Sequence, residues 1–532
     1  MIHFIPAWYQ QNKWCENEQN WHVRRMHSEF DDTVKQIQLF HRSKVFEFQI
    51  MLLSFAPNLR HFLHRQSVYR AKYWSCFDSI QEVRRKKTAL LSYHNLNWPP
   101  HIEFVYTPFV IVAYLSGKKY AQIEFGEAGN LIQIDMYHNE QIQRRNIYDD
   151  RGFVSSTILY EDEKPVYQDY LTEKGMWKIR HFMNDGHVEV NSKCPTYLLV
   201  HEEKEVINNF KQDSYADIED VISEVLQEYL ALLDEKDIFC VAMDKQHTNL
   251  LKTVLKNKKT ILSFFEKRYD FNNYQQARDM FIDAEYIITD SKENTASIEK
   301  IESSDLRIKD ITPFDTRADF GISQQLSVQK IMVPVDGIGN LRFAELIQQL
   351  GEYLCKNEYA QIHLFTRVAD FNRKQILLEM TRQCLRNAGL EEAWALEEQK
   401  KGVFENDLDE EEEIPIRFFV EQCVDEFSVS KCMREQRVIV DMRDATEVYL
   451  RISAISIGIP QLVYTETQFV EHGKNGFVVK NMDKLSDILD FYLDGLANWN
   501  EAMVYSYELG KKYTTSVLIE EWKEVIDFVG RN

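Results

Sequence analysis

The stretch "EVYLRISAISIGIPQLVYTETQFVEHGKNGFVV", residues 447 to 479, opens with the carboxylate of Glu447 and then runs through a helix-forming segment to a break at Gly458 and Pro460. Carboxylates accept hydrogen bonds from hydroxyls, and Glu447 with Glu466 further along are candidate residues for binding in a cleft. In "DGIGNLRF", after the apolar run "KIMVPV", Arg342 is the cation available to an anionic ligand, whereas Asp336 would repel one. The same "GIG" is a weak dinucleotide signal, because Arg342 occupies the third glycine position of G-x-G-x-x-G. Trp8, Trp14 and Trp21 follow the first apolar strand, at the end of an α/β sheet where ligands bind, and Trp8 or Trp21 offers a face for a sugar ring. Metal chemistry finds no support: the fifteen histidines form no H-E-x-x-H, and the eight cysteines form no C-x-x-C pair and read as reduced core residues.

The elements that must carry these residues read as α/β. Ile2 to Trp8 is an apolar strand, and Phe30, Val34, Ile37 and Phe40 form one face of a helix. "VFEFQIMLLSF" is a buried strand, so the opening region is a parallel sheet covered on both faces. From about residue 101, short alternating segments separated by "SGKK", "GEAGN", "DDRG", "DEKP" and "NDG" predict an antiparallel meander. The α/β pattern is expected to resume at "TYLLV", and a second such unit starts near Ser327 with "VQKIMVPV". The acidic run "ENDLDEEEEIP" is expected to be a solvated loop, and the apolar stripe Leu518, Trp522, Val525 and Val529 predicts a final helix that docks on a neighbouring domain. The expected fold class is α/β: two Rossmann-like domains with an antiparallel β-meander domain inserted in the first. The expected boundaries are 1–100 with 192–326 for the first domain, 101–191 for the insert, 327–510 for the second domain and 511–532 for the docking helix.

A net charge of -21, from 63 Lys+Arg against 84 Asp+Glu, opposes binding to nucleic acid. The start "MIHFIPAWYQQNKW" lacks a signal-peptide pattern, and "FVYTPFVIVAYL" is shorter than the ~20 residues of a membrane-spanning helix. A cytoplasmic protein is expected, reaching the membrane only peripherally through partners.

The order of helix, G-x-P, strand and "H-G-x-N-G-[FY]-x-V" resembles the two-Rossmann-domain (GT-B) glycosyltransferases. There, two glutamates eight residues apart steady the donor sugar and hold the ribose hydroxyls. Aligned on Gly458 and Pro460, those positions fall on Ala445 and Ser453, with Glu447 two residues out of register. The Arg and Lys that neutralise the diphosphate fall on Asp336 and Leu341, and Arg342 replaces the lysine only if the register slips by one. Over essentially the whole chain, "FIPAWY", "FDDTVKQIQLF", "RRNIYDDRGFVSS", "WKIRHF" and "YTETQFVEHGKNGFVV" resemble the first of the accessory secretory (Asp) protein families. That resemblance implies a non-catalytic, cofactor-free component of the bacterial accessory Sec system. Its implied partners are the second and third accessory secretory proteins, the accessory SecA motor and the glycosylated serine-rich-repeat adhesin. The alternative is an active retaining glycosyltransferase that uses a UDP-sugar through a donor site rebuilt from Glu447 and Arg342.

Overall fold

Buried apolar runs such as Ile238–Ala242, and residues 438–440 within the strand Gln436–Asp441, have no polar face to show to water, so each packs inside a parallel sheet. The computed structural model describes every residue except 11, 24–29, 303–305, 318, 398–414, 446 and 532. The acidic run at 405–414 therefore lies outside the described residues. The first parallel sheet has the spatial order 308–310, 286–289, 259–264, 238–242, 2–5, 48–52, 72–75. The second has the order 418–422, 360–366, 329–334, 436–441, 461–463, 476–478. In each sheet the order reverses beside the opening strand, and the loops on its two sides diverge at the carboxyl ends. These two crevices position the candidate site.

Between the halves of the first Rossmann-like domain lies a ten-stranded antiparallel sheet running in chain order from Ile102–Tyr106 to Val188–Val190, with Ser214–Tyr215 added at its far edge. Its Tyr170, Ile179, Val188 and Val190 join the core of the first domain, while Ala113, Ile123, Ile134 and Tyr148 form a separate core at the other end. The segment "YDDRG" is the joint. Arg60 pairs with Asp150 at 2.5 Å, and buried Arg151 grips both Asp149 at 2.6 Å and Asp78 at 2.7 Å.

"TYLLV" departs from its expected role: Thr196–His201 pairs antiparallel with Lys204–Asn209 as a two-stranded ribbon and does not enter the parallel sheet. A buried apolar strand looks the same in either setting, and only the hairpin partner decides. The final helix, Thr515–Arg531, turns Leu518, Trp522, Val525 and Val529 into the first domain's core, where Trp522 meets Phe40 edge to face at 5.2 Å. The chain thus ends packed against the domain in which it began.

Candidate functional site

The helix Val448–Ile457 ends because Gly458 takes a left-handed conformation (φ +84°), and a Cβ there would lie 2.6 Å from Met503 Cγ. At Gly476 a Cβ would sit 1.9 Å from the carbonyl oxygen of Gln461, so the close approach of two strands requires glycine. Buried Asn475 accepts from the Glu471 amide at 2.8 Å and donates to the Phe469 carbonyl at 2.9 Å. The H-G-x-N-G stretch is thus a self-satisfied turn whose residues are spent on backbone geometry.

Loops from the carboxyl ends of both parallel sheets enclose a cleft of 1430 Å³. Asp336, Ala445 and Glu447 line it, whereas Ser453 lines a separate hollow of 300 Å³ beside Asp319 and Glu426. The two positions aligned with donor-site glutamates therefore do not share a cavity. Asp336 is fully engaged, accepting from Thr366 Oγ1 at 2.7 Å, the Arg367 amide at 2.6 Å and Arg373 at 2.8 Å. Leu341 is 91% exposed on its helix and faces solvent. Arg342 donates to Asp444 at 2.7 Å and stacks over the Tyr464 ring at 3.9 Å, while Glu466 is exposed between the lining residues Thr465 and Thr467.

The charged lining of the cleft is mostly acidic. Its Asp and Glu side chains outnumber its Lys and Arg side chains eight to three, and both arginines are already paired. Arg367 is bound to Glu447, and Arg443 is clamped on Asp441 at 2.8 Å. Burial disfavours the Asp441 charge, but Arg443 and Arg451 hold its pKa below the ordinary value. Glu266 shows the opposite balance: burial, then the nearby Glu447 and Asp290, push its carboxyl up to about 8. Arg367, Arg443 and Glu266 escape a reading of the sequence because they match no donor-site spacing. The only local signal is their position just after apolar strands.

On the other side, Trp8, Tyr9 and Phe62 line a pocket of 440 Å³ at the first domain's crevice, and Glu266, Lys267 and Glu447 form a wall it shares with the cleft. Trp8 donates to Asp31 at 3.0 Å and packs against Phe62. Trp14 is buried in the core. Trp21 lines neither pocket nor cleft, and it is half exposed, its indole donating at 3.1 Å to the carbonyl of Phe109, in the turn between the first two strands of the inserted sheet. Among the described residues no cluster of three or more His, Cys, Asp or Glu side chains is arranged to hold a metal ion. The assembly offers hydroxyl-binding carboxylates and aromatic walls, with its buried cations already neutralised.

Comparison with known proteins places this geometry. The solved structure of accessory secretory protein 1, 2 and 3 in Streptococcus pneumoniae matches with TM-score 0.80 at 28% identity, covering 100% of both chains. The pneumococcal O-GlcNAc transferase GtfA, solved with UDP and GlcNAc, matches with TM-score 0.68 over 100% of this chain and 99% of that chain. At 11% identity that likeness is one of fold, and it makes the architecture GT-B-like. A curated relative from Streptococcus gordonii, the first Asp protein of its accessory Sec system, is 32% identical over 559 residues, covering 99% of this chain and 100% of the relative. The family model for this first Asp protein of the accessory Sec system matches residues 1–528, and the chain belongs to that family.

Proposed function

We propose that this chain is a non-catalytic adaptor of the accessory Sec system that holds a glycosylated serine-rich polypeptide while partner proteins modify and export it. The observation that carries the non-catalytic reading is the commitment of Arg367 to Glu447 and of Arg443 to Asp441 in a cleft rich in carboxylates. A donor diphosphate needs uncommitted cations, and binding one here would first require breaking buried ion pairs. Assembly with the second and third accessory proteins is supported by the relative solved with both. Partnership with the accessory SecA motor and the adhesin rests on family membership. Work at the cytoplasmic face, with peripheral contact through partners, belongs to the same proposal. Among the described residues no helix is long and apolar enough to cross a membrane.

The inserted sheet supplies a surface for an extended chain. Among the described residues Ile102–Tyr106 is an edge strand, paired on one side only, with Val105 and Tyr106 exposed, and an extended serine-rich segment can add to such an edge through backbone hydrogen bonds. We take 101–191 as the insert, 1–100 with 192–326 as the domain that carries it, 327–510 as the second domain and 511–532 as the returning helix.

The rival reading, an active retaining glycosyltransferase, draws on the fold shared with GtfA. It requires Arg342 to leave Asp444 and Tyr464 to meet a phosphate. Calorimetric titration with UDP-N-acetylglucosamine and UDP-glucose, paired with a turnover assay, separates the two readings. Neither saturable heat nor turnover is expected. Turnover above a buffer blank that Glu447→Ala abolishes would establish the enzyme instead.

A further inference from the structure

The strand Phe418–Gln422 ends one residue before Cys423, and the helix that follows, Glu426–Arg434, carries Cys432. Both side chains join one apolar cluster with Phe30 and Phe365, Cys423 buried in it and Cys432 partly exposed against it. Both cysteines are free, and there the two sulfurs meet: the thiol of Cys432 donates a hydrogen bond to the sulfur of Cys423. The side-chain amide of Gln436 approaches the Cys432 sulfur from another side at 3.7 Å.

Elsewhere burial dominates. It pushes the Cys15 thiol up to about 11 and raises Cys76, Cys194, Cys240 and Cys384 as well, which keeps them protonated. At Cys423 the hydrogen bond from Cys432 outweighs burial and holds the thiol below its ordinary value. The thiolate is the reactive form, so Cys423 is the attacking sulfur and Cys432, in contact with it, the resolving one. The pair also lies where a cross-link acts on the contact between domains. The Cys423 carbonyl accepts at 3.4 Å from Arg367, the arginine that lines the cleft and holds Glu447. The helix of Cys432 begins at Glu426, which binds Lys35 of the first domain at 2.8 Å.

We propose that Cys423 and Cys432 are a modification site for peroxide, closing to a reversible disulfide that clamps the helix Glu426–Arg434 to the strand end beside the cleft. The Cys423 thiolate attacks one oxygen of hydrogen peroxide: an S–O bond forms, the O–O bond breaks, and the departing hydroxide takes up the proton that Cys423 released and leaves as water. The Cys432 sulfur then attacks the sulfur of the resulting sulfenic acid. The S–S bond forms, the S–O bond breaks, and the hydroxyl leaves with the Cys432 proton as a second water. Two thiols are oxidised by two electrons, and one peroxide is reduced to two waters.

The test uses the full chain, reduced and then exposed to hydrogen peroxide, with remaining thiols alkylated under denaturing conditions. Two fewer of the eight cysteines should be alkylated than in the untreated chain. Trypsin cuts after Lys431, so the two cysteines fall on separate peptides, 418–431 and 432–434, which should be recovered joined and should separate with dithiothreitol. Cys432→Ser should stop the reaction at the sulfenic acid of Cys423, trapped by dimedone, whereas Cys355→Ser, which removes an exposed thiol, should leave the link intact. Hydrogen exchange across 426–434 should slow in the oxidised chain. Full alkylation of all eight, a lost pair that maps elsewhere, or the same loss of two thiols in Cys432→Ser overturns the site. The absence of a dimedone adduct on Cys423 overturns its role as the attacking sulfur, and a link with unchanged hydrogen exchange overturns the clamp.

Discussion

Glu266 is one of the residues at which the two Rossmann-like domains meet electrostatically, as the Lys35–Glu426 pair at 2.8 Å is another. It faces Glu447, Asp290 and Arg367, and the backbone amide of Val448 donates to its carboxylate from the opposite domain. Its folded-state pKa of about 8 lies above the ordinary 4.5, so the folded chain keeps a proton that the unfolded chain releases. That contribution to stability is fully present below about pH 4.5 and is lost as pH rises through about 8, because stability falls with pH wherever the native state binds more protons. The melting temperature of the wild type should therefore decline between about pH 4.5 and pH 8, and Glu266→Gln, neutral throughout, should flatten that decline. Parallel profiles for the two proteins would remove Glu266 as the cause. At this scale the sequence is legible only in part. It shows which carboxylates are missing, at Ala445 and Ser453, but not that Glu447 is spent on an arginine 80 residues away.

At the scale of elements, the final helix is readable as an apolar stripe, while its partner is not. Trp522 packs against Phe4 and Phe40, and both come from the first forty residues. Trp522→Ala should cost about 3–5 kcal/mol, the usual range for deleting a large buried aromatic. Urea unfolding measures this, and an unchanged midpoint would show that the helix is not docked in solution. "YDDRG" reads as a turn between strands, which it is. Its aspartates and arginine also reach Arg60 and Asp78, so the turn anchors the inserted sheet to the domain beneath. "TYLLV" points to the wrong sheet because a run of buried apolar residues does not say whether its neighbour is parallel or antiparallel.

Across the whole molecule, the proposed adaptor role gives one repetitive glycopolypeptide two separate footholds, the edge strand of the insert and the interdomain cleft. Each contact alone is expected to be weak. Joined along one chain, the second contact becomes intramolecular, and avidity exceeds either affinity by a factor on the order of 10²–10⁴. Glycosylated repeats should therefore bind the intact protein far more tightly than unglycosylated ones. Replacing 101–191 with a short linker, after a check that the product folds, should reduce both. Equal binding in all four combinations would eliminate both surfaces, and a loss confined to the insert replacement would leave the sugar role of the cleft unsupported.

The sequence by itself determined the fold class and the residue types at the aligned positions 445 and 453. Strand runs and helix periodicity are local, so two α/β units, an antiparallel insert and the absence of donor-site carboxylates could all be read from short windows. The turn glycines were equally plain, since a positive φ or a close backbone approach selects glycine whatever lies beyond. Tertiary structure alone decided which charges neutralise one another, that Ser453 and Ala445 face different cavities, that Trp8 lines a pocket and Trp21 does not, and that Ser54 is buried without a partner among the described residues. Those outcomes depend on side chains tens to hundreds of residues apart. Burial and Coulombic pairing act through space, and residue types in sequence carry no distances.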